Sequence, residues 1–391
     1  MISPLSRFKR CMSTGLTLGL VFGAIGTASA SGADHGEAGF NPSEFIIHHI
    51  QDAHEIHIIG DVHIPLPVIA YAPESGQFDT FLSSALHHGA HHGSSGLWYT
   101  MDHGTLIAHD HDPSGHNHGA HDHSDHSDDH AEGGHAEEDH AGHDHGAHHA
   151  GGVEIVDLSI TKSIFGMLLM MGLVLVLFAS AGRGYAKRKG QAPKGLQNAL
   201  EPMVLFIRDE VAIPSIGKKK ADRYLPFLLT VFFFIFFSNL LGLIPFIGGF
   251  NITGTLGITA VLATLVFVIT TVSGNKHYWS HILWPAGVPL PIKFILVPIE
   301  IASIFIKPFV LMVRLTANIT AGHIIILAFT SLIFILGEQF GGGVGIGTGV
   351  FSTLFMIFMY MIEFLVAFLQ AYVFTLLAAL YFGEATHEAH H

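Results

Sequence analysis

The chain has 391 residues, 49% of them hydrophobic and 13% charged, with a formal net charge of −13. So apolar and charge-poor a composition is that of a membrane protein. The charge is unevenly spread: acidic residues and most of the 31 histidines crowd the region before residue 157, and basic residues cluster after it, a pattern with no footprint of nucleic-acid binding.

The N-terminus reads as a secretory signal over residues 1–30. Arg7, Lys9 and Arg10 precede a short apolar run, and Ala28-Ser29-Ala30 fits a small-residue cleavage site. The mature chain is expected to begin near Ser31. The single cysteine, Cys11, falls in the part removed, so neither an intrachain disulfide nor thiol chemistry is expected.

Residues 31–108 read as a small exported module, partly β. Residues 55–60 and 62–67 alternate as strands do, and 97–108 is a further strand candidate. Residues 109–150 form a low-complexity tract of His, Asp, Gly, Ala and Ser that cannot bury a core and is expected to be disordered. Its histidines suit loosely held zinc, copper or nickel, but their irregular spacing defines no metal site.

The membrane domain is expected over 151–384, with a short cytoplasmic tail at 385–391. Residues 160–181 make one span, 225–246 a second and 252–272 a third. Between the first two lies the main basic cluster, from Arg183 through Lys187, Arg188 and Lys189 to Lys218, Lys219, Lys220 and Arg223. The positive-inside rule makes this segment cytoplasmic and puts the N-terminal module outside, in agreement with the signal sequence. The last two apolar segments, 294–336 and 351–382, would be ~65 and ~48 Å long as helices, against a hydrocarbon core of about 30 Å. They are expected to form a steeply tilted hairpin joined by the glycine-rich stretch 341–349, with Pro298 and Pro308 as bends. The alternative is that the first arm breaks into two ordinary spans. The expected fold class is thus all-α and polytopic, with about three upright helices plus the tilted hairpin.

Charged residues at bilayer depth are expensive, and by default mark function. Glu300, Lys307 and Arg314 recur every seven residues and share a helix face; Asn318 lies one turn beyond Arg314. Along the axis Glu300 is about 21 Å to one side of Arg314 and His323 about 14 Å to the other. Glu363 and Gln370 share a face of the second arm, and an antiparallel hairpin brings His323 and Glu363 into register. Arginine neither deprotonates nor relays protons, but it blocks a proton and attracts a carboxylate; Glu and His relay protons. The plainer reading is a buried ion-pair network that fixes helix packing.

The stretch Pro308-Phe-Val-Leu-Met-Val-Arg314-Leu-Thr-Ala-Asn318-Ile-Thr-Ala-Gly-His323 resembles the signature of subunit a of the F-type rotary ATP synthase. Residues 363–374, ending Gln370-Ala-Tyr-Val-Phe374, are similar to that family's last helix, and Phe237-Ser-Asn239-Leu-Leu-Gly242-Leu-Ile-Pro245 to an earlier segment. The resemblance covers roughly 155–384. It implies the non-catalytic stator half of a membrane motor, facing a ring of c subunits and held by b-type peripheral-stalk subunits and the rest of the complex. Two offset half-channels would load and unload protons on the c carboxylates. Arg314 resembles the arginine that separates the channels. Asn239, Asn318, His323, Glu363 and Gln370 fall on positions of the outside half-channel, and Glu300 on the cytoplasmic one. The His323 and Glu363 order is that of mitochondrial members, and Gly242 stands where several bacterial relatives carry aspartate. A bacterial inner-membrane location follows, with the mature N-terminus periplasmic, the C-terminus cytoplasmic, and no cofactor or metal. A His323–Glu363 relay suits protons rather than sodium. The competing class is a His-rich metal transporter, which would show His or Asp pairs at i, i+4 within spans; none occurs.

Overall fold

The computed structural model describes residues 52–57, 63–87, 89–102, 104–113, 153–187, 195–244, 250–285, 288–340 and 342–387. The expected signal sequence, the histidine-rich tract beyond residue 113 and the last four residues lie outside the described residues. The chain divides into two compact units, one over 65–160 and the other comprising the helices from residue 161 onward together with the chain up to residue 64.

The smaller unit is β-structured. Strands β1 (Glu55–His57) and β2 (His63–Pro65) pair just before it. β3 (Pro67–Ala72) then alternates half-buried and buried side chains, as a strand with one packed face must. β3 pairs antiparallel with β4 (Gln77–Leu82), Val68 opposite Phe81, and on its other edge with β8 (Val156–Asp157). A second sheet orders β5 (His91–His92), β6 (Trp98–Asp102) and β7 (Thr105–His109). The single strand expected over 97–108 is therefore a hairpin: Gly104, at φ 82°, supplies the left-handed turn residue, and Asp102 pairs with Thr105 across it. Val68, Ala70, Tyr99, Leu106 and Ala108 form the core.

The larger unit is helical: α1 (Lys162–Lys187), α2 (Leu196–Phe206), a π-helical turn (Ile207–Ala212), α3 (Ile213–Ile216), α4 (Ala221–Gly242), α5 (Leu256–Ser273), α6 (Lys276–Leu283), α7 (Leu290–Phe340) and α8 (Gly342–Thr386). Among the described residues five helices, α1, α4, α5, α7 and α8, are long and apolar enough to cross a membrane. On α1, Ser163, Gly166, Met170, Val174 and Ala181 make one buried stripe, while Leu168, Leu169, Leu173, Leu175 and Val176 are exposed, as expected of a helix with lipid on its other faces. α4 is the centre of the unit. Its Phe232, Phe233 and Ile235 are fully buried, and Phe232 and Phe236 both meet Phe368 of α8 edge-on at 5.9 Å.

The structure departs from expectation at several points. The basic segment after α1 carries α2, the π-helical turn and α3; α3 lies close enough to α8 that a Cβ on Gly383 would fall on the Ser215 carbonyl. The glycine-rich stretch 341–349 is helical from Gly342 onward, not a loop. Each glycine costs about 1 kcal/mol in a helix, but in an apolar medium the backbone must satisfy its own hydrogen bonds. α7 is one helix of 51 residues that contains Pro298 and Pro308, not two spans. α8 extends through Thr386, past the start of the expected tail, and its end is capped: the Thr386 carbonyl accepts from Lys220 Nζ at 2.7 Å and Asn275 Nδ2 at 3.1 Å.

Candidate functional site

α7 and α8 run antiparallel, which sets the register of every polar side chain between them. Phe329 meets Phe355 with ring centroids 4.1 Å apart, Gly322 meets Glu363, and Lys307 meets Glu384 at 2.6 Å. Leu311, Leu315 and Ile319, four residues apart, turn one side of α7 inward. Arg314 is therefore presented on the opposite, exposed side, among Val310, Val313, Ala317, Asn318 and Ala321. A guanidinium on a largely apolar strip is costly to leave without an anionic partner, and no carboxylate pairs with it among the described residues.

On one axial side of Arg314 lies a buried polar group. Glu363 is 8% exposed, and its Oε1 occupies the space a Cβ on Gly322 would take. No hydrogen bond reaches Glu363 among the described residues. His323, next to Gly322, is half-buried and turns its ring toward the end of α4, where a Cβ on Gly242 would stand 3.4 Å from His323 Nε2 and 2.9 Å from the Phe250 carbonyl. The structure thus brings both groups to one level but joins them by no direct hydrogen bond. Asn239, 3% exposed, is held at both ends of its amide: Nδ2 donates to the Ala367 carbonyl at 3.3 Å, and Oδ1 accepts from Thr253 Oγ1 at 2.5 Å. Gln370 is buried two turns along α8 from Glu363, whereas Asn318 is exposed beside Arg314.

On the other side, Glu300 is half-buried near α6. Lys307 is paired with Glu384 and lies 5.3 Å over the Tyr381 ring. Burial, and after it the Glu384 and Glu300 carboxylates, push the Tyr278 hydroxyl above its ordinary range. A narrow cleft of about 10 Å³, room for about one water molecule, opens among Thr270, Tyr278, Lys307 and Tyr381. No described cluster of His, Cys, Asp or Glu is arranged to hold a metal.

Sequence reasoning passed over Gly322, Thr253, Tyr278 and Glu384. Only Gly322 left a signal, a glycine inside an apolar helix where it costs about 1 kcal/mol. The others matter through partners far away in sequence.

A family model described as ATP synthase A chain matches residues 164–383, more than half of the chain, and a second, a domain of unknown function (DUF8433), matches 45–132. The chain is 44% identical over 237 residues to ATP synthase subunit a 2 of Chlorobaculum tepidum, covering 59% of this chain and 64% of that one. It is 40% identical over 250 residues to ATP synthase subunit a of Myxococcus xanthus, covering 60% and 76%. It is 37% identical over 245 residues to ATP synthase subunit a of an Anaeromyxobacter species, covering 60% and 56%. The match thus spans less than two thirds of the Chlorobaculum and Anaeromyxobacter relatives. The matched residues include α7 and nearly all of α8, with Arg314, His323 and Glu363, so the chain is a multi-pass membrane protein that belongs to the ATP synthase A chain family.

Proposed function

We propose that this chain is the proton-conducting stator subunit of an F-type ATP synthase, non-catalytic in itself. The observation that carries the reading is the position of Arg314, exposed on an apolar helix face with titratable groups on both axial sides. The exposed strip suits a ring of c subunits, each presenting a carboxylate to the guanidinium. Glu363, His323, Asn239, Gln370 and Asn318 would serve the half-channel open to the outside, and Glu300 the cytoplasmic one. Arg314 lies between the two, so a proton crosses only by riding the ring.

The fixed positive charge has two consequences. It opposes a proton passing straight between the half-channels, and it favours the ionised form of a c carboxylate alongside. Each carboxylate would release its proton on approach and reload after passing. b-type stalk subunits would hold the stator against the ring's torque. In a bacterial inner membrane, α1, α4 and α5 would stand upright. α7, ~77 Å long, would have to tilt in a core of about 30 Å. The basic segment 183–223 supports an orientation with the mature N-terminus in the periplasm and the C-terminus in the cytoplasm. The test is proton-driven ATP synthesis in vesicles holding assembled complexes: Arg314→Gln abolishes it if the reading is right, and near-normal synthesis returns Arg314 to a structural role.

A further inference from the structure

Lys162 has no place in the arrangement above, yet it is a lysine 7% exposed at the first position of an apolar helix. Among the described residues no carboxylate lies within ion-pair distance of its ammonium. The carboxylate seated on the same turn is that of Asp52, which accepts the N–H of Ser163, the next residue of α1. An ammonium buried without a direct partner is costly and calls for a functional account.

The surroundings of Lys162 are polar and continuous. Asp52 Oδ1 accepts the Ser163 N–H at 3.0 Å and the Ala53 N–H at 3.1 Å, and the Ala53 carbonyl accepts the Lys162 N–H at 2.7 Å. Residues 52–53 are thus seated on the otherwise unpaired first turn of α1. Ser163 Oγ lies 2.9 Å from Thr255 Oγ1, which is 3.0 Å from the Asn251 carbonyl. Two residues before Thr255, Thr253 donates to Asn239. Asn251 is 7% exposed, and its Oδ1 has no hydrogen-bond partner among the described residues; the side chain fills the space that a Cβ on Gly254 would need. A buried amide oxygen of this kind is satisfied by water. A string of polar groups therefore runs from Asp52 past Ser163, Thr255 and Asn251 to Thr253 and Asn239.

We propose that the chain at residues 52–57, the first described part of the region matched by the domain of unknown function, forms the outer rim of the outside half-channel. Lys162 and Asp52 are the compensating charges at its mouth, and Asn251 is a water-binding group just inside. The inference rests on the stator reading. With both charges present the mouth is electrically balanced for an arriving proton. Without Asp52 the Lys162 ammonium stands uncompensated beside the path and repels it; without both, balance returns.

The experiment is a charge-compensation series in vesicles holding assembled complexes, with ATP synthesis driven by a proton gradient. Asp52→Asn keeps an acceptor for the Ser163 N–H and removes only the charge; it lowers synthesis about fivefold, and Asp52→Asn with Lys162→Gln recovers most of the loss. ATP hydrolysis by detergent-released complexes stays unchanged in both. A silent Asp52→Asn, or a double variant no better than the single, overturns the rim. Should the Asp52 variants not assemble, Asn251→Cys in a Cys11→Ser background decides: a membrane-impermeant thiol reagent added outside labels it and blocks synthesis, and absence of labelling overturns the wet path. Arg314→Gln in the same vesicles separates the two readings. If it abolishes synthesis while Asp52→Asn is silent, only the rim fails; if it synthesises normally, the stator reading fails.

Discussion

The two units each bury a carboxylate, and they treat it in opposite ways. Asp79, in the β unit, is 1% exposed and fully engaged: Ser94 Oγ donates at 2.5 Å, Tyr99 Oη at 2.7 Å and the Ser95 N–H at 3.0 Å, with the Ser95 hydroxyl also on Oδ2. Glu363, in the helical unit, is about as buried but rests against the bare backbone of Gly322 with no donor among the described residues. Burial alone would raise the Asp79 pKa; the donors overcome it and bring the group to about 2, while burial and the bond to Asp79 push Tyr99 up to about 12. A carboxylate so saturated is a permanent structural anion. One that is buried and left unsatisfied is free to change its protonation state, which a proton path requires.

The comparison breaks first at Arg314. Replacing it by Gln removes the only charge on the exposed strip of α7 near Asn318. Proton-driven ATP synthesis should fall ~100-fold or more, since a barrier of several kcal/mol disappears. Arg314→Lys should fail largely as well, because a desolvated lysine gives up its proton and its reach differs. Synthesis at a normal rate in either variant removes the contrast between a working helical unit and a structural β unit.

Next in size is Gly322→Ala. The added methyl would fall on the Glu363 carboxylate, and overpacking of this kind costs ~1–3 kcal/mol. ATP-driven proton pumping should drop about tenfold with assembly intact. The shorter side chain of Glu363→Asp, combined with Gly322→Ala, should recover part of it. If Gly322→Ala pumps normally, the Glu363 carboxylate does not rest where the structure places it.

The sequence made the helical unit readable because bilayer crossing forces long apolar runs, and rare charges stand out against them. Arg314, Glu300, His323 and Glu363 were visible for that reason. What stayed hidden depended on three-dimensional neighbours. Thr253 is an ordinary loop threonine until it meets Asn239, and Lys162 looks like a helix-end lysine until its burial and the seating of Asp52 on the same turn are known. The glycine-rich stretch misled because local propensity favours a loop, whereas pairing along α7 favours a helix. Alternation revealed β1 and β2, whereas β3 and β4 were passed over, and Gly104 divided what looked like one strand into β6 and β7.

Asp79→Asn sharpens the structural side of the contrast. The folded carboxyl has its pKa depressed from 3.8 to about 2, so its contribution is fully present above about pH 4 and is lost as the pH falls toward 2. That contribution is of order 2 kcal/mol. Hydrogen exchange of peptides covering β4 in the purified chain should show protection that declines between pH 4 and 2. The Asn variant should exchange faster at neutral pH and lack the decline. A pH-independent wild type would mean that the serine and tyrosine donors do not hold an ionised Asp79.

The smallest effect expected is at Lys307 and Glu384. Their 2.6 Å contact looks strong, but the side chains are 31% and 54% exposed. An ion pair that open to water is worth about 0–1 kcal/mol, because solvent screens it and two long side chains must be held still. The same pair facing hydrocarbon would behave as a buried one, and losing either partner would cost ~3–5 kcal/mol. The measurement is a double-mutant cycle with Lys307→Gln and Glu384→Gln, read from the denaturation midpoints of the assembled complex at low salt and at about 0.5 M salt. Coupling below about 1 kcal/mol that shrinks with salt puts this end of the hairpin in water, on the side of Arg314 where Glu300 lies. A larger, salt-insensitive coupling would bury the pair, close the cleft beside Tyr278 to solvent and leave Glu300 without an aqueous outlet.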